Sequence, residues 1–264
     1  MENTQKIIKS IVFSSLVLSS YVNAESNIIF APLVSITANE LDFSTHQFGG
    51  DKVTYQSLKI GALAQVEKWT LKISTERPFS DPTITFNEIF GESELEIKNT
   101  DINLAYSVSD NISVFAGYLN NDFKFSNQSL FSQFGQPSIY VSKYEELGFY
   151  AGVGYSYAVG SGSINASIAY ASLDSSYSDN FYEVDLPGLI TTGDTTGFSY
   201  SISWQGSISE KWKYGIGFNA RLFDYDSNYI AGIGEFPGLG VINDSSFDSE
   251  WNITTVSANL VYIL

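Results

Sequence analysis

The sequence predicts an all-β fold: an antiparallel up-and-down transmembrane β-barrel of ten strands, with eight or twelve as the alternatives. Three observations predict it. Apolar residues recur at every second position in segments of about ten residues, the length a tilted membrane strand needs. The connections between those segments alternate strictly between short and long. Aromatic residues make up 15% of a chain with 21 glycines and only 16% charged residues, and no later stretch approaches a membrane-spanning helix.

The first residues read as a targeting segment. Lys6 and Lys9 form a charged start, Ile11 to Leu18 (IVFSSLVL) a short apolar run, and Val22-Asn23-Ala24 a small-residue cleavage site. The run is too short to span a bilayer as a helix, which takes roughly 20 residues. We therefore expect a cleavable signal peptide over 1–24 and a single barrel domain over 25–264. With no cysteine, disulfides, a lipid-modified N-terminal Cys and thiolate metal or redox sites are excluded. A net charge of −16 argues against nucleic acid as a partner, since that needs a basic footprint.

Taken in order, the first segment (28–43) is noisy. In the second, Leu58, Ile60, Ala62, Ala64 and Val66 alternate with Ser57, Lys59, Gly61 and Gln65. Trp69, Leu71 and Ile73 alternate with Thr70, Lys72 and Ser74 in the third. Ile102, Leu104, Tyr106 and Val108 oppose Asp101, Asn103, Ala105 and Ser107. The fifth segment, 112–122, is blurred by Phe115 and Leu119 on the polar parity. Leu147, Phe149, Ala151, Val153, Tyr155 and Tyr157 then face away from Gly148, Gly152, Gly154 and Ser156. Ile164, Ala166, Ile168 and Tyr170 oppose Ser163, Asn165 and Ser167. The clearest pair follows: Phe198, Tyr200, Ile202, Trp204 and Ile208 against a row of serines, then Trp212, Tyr214, Ile216, Phe218, Ala220 and Leu222 against Lys213, Gly215, Gly217, Asn219 and Arg221. A helix would repeat every 3.6 residues, and these do not. The last strand occupies about 250–264.

Short turns fall at Glu67-Lys68, Ser109-Asp110-Asn111, Gly160-Ser161-Gly162 and Ser209-Glu210-Lys211. Long polar connections fall at 44–52, 77–93, 123–143, 172–194 and 226–248. Ten strands joined this way put both chain termini on the short-turn side. A secreted β-sandwich or lipocalin-like barrel would show the same alternation turned inside out. The polar parity argues against it, because it is rich in Gly and Ser, which suit a crowded interior. The apolar parity carries Trp69, Tyr106, Trp204, Trp212, Tyr214 and Tyr262 near segment ends, where an aromatic girdle meets the membrane interface.

The terminal strand reads WNITTVSANLVYIL, with Val256, Ala258, Leu260, Tyr262 and Leu264 on one parity. It resembles the C-terminal assembly signal of Gram-negative outer-membrane β-barrel proteins, although those usually end in an aromatic residue and this one ends in Leu. The resemblance implies an outer-membrane location, periplasmic turns and extracellular loops. It further implies folding by periplasmic chaperones and the barrel assembly machinery, and contact with outer-membrane lipid and lipopolysaccharide. It gives no subfamily and no oligomeric state.

No catalytic, metal or cofactor site is expected. His46, the only histidine, lacks an aspartate at i±2 such as the small outer-membrane proteases are similar in using, so it reads as a solvated loop residue. The acidic long loops and the Pro187-Gly188 and Pro237-Gly238 pairs read as solvated surface and turns. On the inward parity, Lys59, Lys72, Asp101, Asn103, Lys213, Asn219 and Arg221 are candidate lumen-lining residues, with Lys59 and Asp101 expected in one polar network. A narrow porin-like channel for small polar or anionic solutes is the leading expectation. The alternatives are a non-conducting structural or adhesin-type barrel acting through its loops, and, last, a hydrolase relying on His46.

Overall fold

The computed structural model describes residues 28–45, 49–85, 92–127, 140–181, 190–231 and 249–264. The signal segment 1–24, His46 and both Pro-Gly pairs lie outside the described residues. Eleven strands follow one another: β1 Ile29–Thr45, β2 Gly49–Val66, β3 Trp69–Pro78, β4 Thr83–Thr85, β5 Glu92–Ser107, β6 Ile112–Asn127, β7 Tyr140–Val159, β8 Gly162–Phe181, β9 Ile190–Ser207, β10 Trp212–Ala231 and β11 Ser249–Tyr262. Each pairs antiparallel with its chain neighbour except β3 and β4, which do not pair with each other. The first strand pairs with the last, from Leu33 opposite Val261 to Thr45 opposite Ser249, and β3 pairs with β5. The result is a closed ten-stave barrel.

The eleventh strand is an interruption rather than an extra stave. Pro78 ends β3, and the three-residue β4 resumes beside the top of β5 after Pro82. Proline has no N–H to give the ladder, so a break is expected there. Two turns share one design. In Val108–Asn111 and Ile208–Lys211, the serine at the second position (Ser109, Ser209) accepts a hydrogen bond from the N–H of Ile112 and Trp212, at 3.1 and 3.2 Å. The two-residue turn between Val159 and Gly162 places Gly160 at φ +58°, a region costly for a side chain, and the equally short Glu67-Lys68 turn holds Glu67 at φ +51°.

The expected alternation holds and fixes which side faces lipid. Outward residues are apolar from the turn end up to Ala38, Leu58, Ile73, Ile102, Tyr118, Leu147, Tyr170, Phe198, Leu222 and Val256 on successive staves. On β10 this belt runs from Trp212 to Leu222, a height of roughly 25 Å for a tilted strand. The girdle residues all lie on it, and they pair. Trp69 meets Tyr106 at 4.7 Å, Trp212 meets Tyr262 at 4.7 Å, and Trp204 meets Tyr214 at 5.2 Å between ring centroids. Val256, Ala258, Leu260, Tyr262 and Leu264 share the outward side of β11 and its end.

The long connections need correction. Strand runs into each of them, at 44–45 and 49–52, 77–78, 83–85 and 92–93, 123–127 and 140–143, 172–181 and 190–194, and 226–231 of 226–248. A 20-residue strand such as β10 reaches about 50 Å when tilted near 40°, twice the belt's height. Above the belt the polarity of the wall inverts. On β10, Asp224 and Asp226 point outward while Phe223 and Tyr225 are buried inside. On β1, Glu40 and Asp42 point outward while Leu41 and Phe43 are buried. In the bilayer, then, the barrel is apolar outside and polar inside. Beyond it, the same wall is polar outside and apolar inside, as in a water-soluble barrel.

Candidate lumen site and outer plug

Two layers fill the lumen at and above the top of the belt. The lower one is charged. Lys59 and Glu76 lie directly opposite each other on β2 and β3, and their ion pair spans 3.2 Å. The second carboxylate oxygen of Glu76 accepts hydrogen bonds from the Thr37 hydroxyl at 2.7 Å, the Asn39 amide at 3.2 Å and the Ser57 hydroxyl. These partners come from β1 and β2, so one carboxylate ties three staves together. A buried ion pair survives only with its remaining lone pairs satisfied in this way.

The neighbouring pair is looser. Lys72 on β3 stands 3.9 Å from Asp101 on β5, whose other oxygen accepts a 2.6 Å hydrogen bond from the Tyr150 hydroxyl. Asn103 donates to that same hydroxyl at 3.0 Å. Tyr150 reaches across because the wall beside it is bare: a Cβ at Gly117 would collide with its ring. Arg221 faces the same space from β10, opposite Ser199 of β9. Between these groups lies a cavity of about 100 Å³.

Six of the seven candidate lumen residues therefore converge on this cavity: Lys59, Lys72, Asp101, Asn103, Asn219 and Arg221. Lys213 is inward but sits at the turn end of β10, eight residues below Arg221, and lines no part of it. Lys59 and Asp101 line the same polar cavity, each paired with another residue: Lys59 with Glu76 and Asp101 with Lys72. The sequence reading missed Glu76, although one further step of the Thr70, Lys72, Ser74 parity reaches it. Tyr150, also missed, stands among inward glycines on a strand read by its outward residues.

The upper layer is an aromatic plug. Trp251, 1% exposed, lies at its centre, with ring centroids of Phe123, Phe223 and Tyr144 at 4.9, 5.6 and 5.8 Å, all edge-on. Leu41, Tyr55, Leu95, Ile97, Leu173 and Tyr225 complete the packing from other staves. One carboxylate is buried within it. Glu146 accepts hydrogen bonds from Asn121 at 3.0 Å and Tyr144 at 2.8 Å, and no Lys or Arg among the described residues pairs with it. Tyr144 also contacts Thr195 at 3.0 Å.

Outside the plug, the wall above the belt is an acidic collar with a few basic partners. Lys52 bonds Asp42 at 2.8 Å and Lys143 bonds Glu145 at 2.6 Å, and each carboxylate raises the pKa of its lysine. Both pairs are solvated and contribute little to stability. Among the described residues no group of three metal-ligating side chains comes together.

No protein-family model matches the sequence, and no curated protein matches it. Solved structures do resemble the fold. The outer membrane protease OmpT from Escherichia coli is similar with a TM-score of 0.60 at 10% identity, over 94% of this chain and 100% of that one. The translocator domain of the autotransporter NalP from Neisseria meningitidis is similar at 0.53 and 10% identity, over 88% of each chain. At this identity the likeness is one of fold: the chain has the architecture of bacterial outer-membrane β-barrels.

Proposed function

We propose that this chain is a non-conducting outer-membrane barrel that carries a closed, acidic platform out past the lipid headgroups and acts through that surface. The observation that supports this reading best is the aromatic plug centred on Trp251, whose buried side chains come from eight of the ten staves above the belt. A polar solute crossing it would lose its hydration among side chains that offer almost no replacement. The turn end then faces the periplasm, reached through the predicted signal peptide. The assembly machinery and lipopolysaccharide are the proposed partners, and no catalytic step is assigned.

The sequence-based alternative, a narrow anion-favouring channel, draws on Lys59, Lys72 and Arg221 facing the lumen. Single-channel recording of the refolded mature chain separates the two. The proposal expects a folded protein with no steps. Discrete steps that scale with salt would establish the channel instead.

A further inference from the structure

The charged layer contains three cations and two carboxylates, and the odd one is Arg221. Lys59 is matched by Glu76 and Lys72 by Asp101. Arg221 makes no ion pair or hydrogen bond among the described residues, yet it lines the cavity with both lysines. A half-buried guanidinium inside a barrel wall, with no carboxylate within ion-pair distance, favours an anion from solution.

Exposure shows how far the open space around Arg221 extends. Immediately above Arg221, Phe223 is 2% exposed, Tyr225 1% and Trp251 1%. Below it, Ser199, Ser201, Ser203, Asn219 and Gly217 all remain partly exposed, as does Ser167 across the ladder. Nearer the turn end, at the level of Lys213, Leu33, Leu63 and Val261 close the β1–β2–β11 side of the lumen, and Asn165 and Gln205 are buried on β8 and β9. The partly exposed stretch of β8–β10 between these layers is a vestibule roofed by the plug.

We propose that this vestibule is a binding site for a small singly charged carboxylate, held by the Arg221 fork beneath the aromatic roof. Charge selects the ligand. One negative charge balances the surplus of one cation, whereas a doubly charged phosphate would crowd Glu76 and Asp101. The planar guanidinium takes both carboxylate oxygens at once. Ser199, directly opposite Arg221, adds a hydroxyl donor.

The site rests on the sealed outer half proposed above, and its test reads binding rather than conductance. Acetate binding to the full mature chain, refolded in detergent micelles, is measured by titration at constant ionic strength, with inorganic phosphate as a second probe. Arg221→Met should weaken acetate by at least about tenfold, roughly 1.4 kcal/mol. Lys213→Met, on the same strand but outside the cavity, should leave it unchanged. Should Arg221→Met fail to fold, as shown by a lost heat-dependent gel shift, Arg221→Lys keeps the charge, loses the fork and should weaken binding several-fold. Acetate affinity that is absent in the wild type, or indifferent to Arg221, overturns the site. Phosphate binding as tightly as acetate overturns the charge match. Acetate binding by a barrel that also conducts would overturn the seal and leave the anion site standing.

Discussion

Replacing Trp251 by alanine removes the ring around which the plug is built. The indole is 1% exposed and meets Phe123, Tyr144 and Phe223 edge-on within 6 Å. Truncating a buried Trp to Ala costs about 3–5 kcal/mol when neighbours cannot collapse into the space. Collapse is hindered here, because those rings hang from β6, β7 and β10, staves fixed by ladders on both sides. Each edge-on contact adds about 0.5–1.5 kcal/mol beyond its area, so a loss near the top of the range is expected. The assay is urea unfolding of the refolded chain, followed by gel mobility and tyrosine fluorescence. Trp212→Ala serves as the control, since that ring lies at the girdle, 40% exposed on the outer wall, and its cross-strand pair with Tyr262 is worth about 0.2–1 kcal/mol. A Trp251→Ala loss below about 1 kcal/mol, or no larger than that of Trp212→Ala, would refute the plug as a packed core.

Three further outcomes follow from the same packing. Glu76→Gln strands Lys59 without its counter-charge and should cost about 3–5 kcal/mol in urea unfolding, while Lys59→Met with Glu76→Gln recovers much of it. Gly117→Val drives a side chain into the Tyr150 ring and breaks its bond to Asp101, so unfolding should shift by about 1–3 kcal/mol; an unchanged midpoint would place Tyr150 elsewhere. Glu146→Gln replaces a buried carboxyl that has no Lys or Arg partner among the described residues, and a turned Asn121 amide can offer its unpartnered oxygen to the new NH₂. That variant should be as stable as the wild type or more so by about 1 kcal/mol, whereas a loss above that would show that the charge itself is used.

The barrel was legible in the sequence wherever one rule held along the whole segment. Phe198 to Trp204 and Trp212 to Leu222 keep one parity throughout the belt, and the short turns gave strand order and closure. What was not legible is the change of rule. At Leu222–Phe223 and at Ala38–Leu41 the apolar residues move to the opposite parity. A search tracking a single face reads that inversion as a polar loop. The noisy first segment, 28–43, is this inversion seen from its middle. The cavity was half legible: parity placed Lys59, Lys72, Asp101 and Arg221 inside, but choosing between Glu76 and Asp101 as the partner of Lys59 depends on register. Register follows from the two-residue turn at Glu67-Lys68, which sets Lys59 opposite Glu76. Phe115 and Leu119, which blurred 112–122, are lumen residues beside Tyr150 and the plug.

The inversion of the wall at the membrane surface is the central claim, and a chain without cysteine allows it to be tested directly by single cysteines along β10. Phe218, Leu222, Phe223, Asp224, Tyr225 and Asp226 are each replaced by Cys in the folded protein in lipid vesicles and exposed to a water-soluble maleimide. The account predicts rapid labelling at 224 and 226 alone, with 218 and 222 shielded by lipid and 223 and 225 by the plug. Labelling at 223 and 225 with protection at 224 and 226 would mean a water-filled lumen behind a lipid-facing wall, and would contradict it.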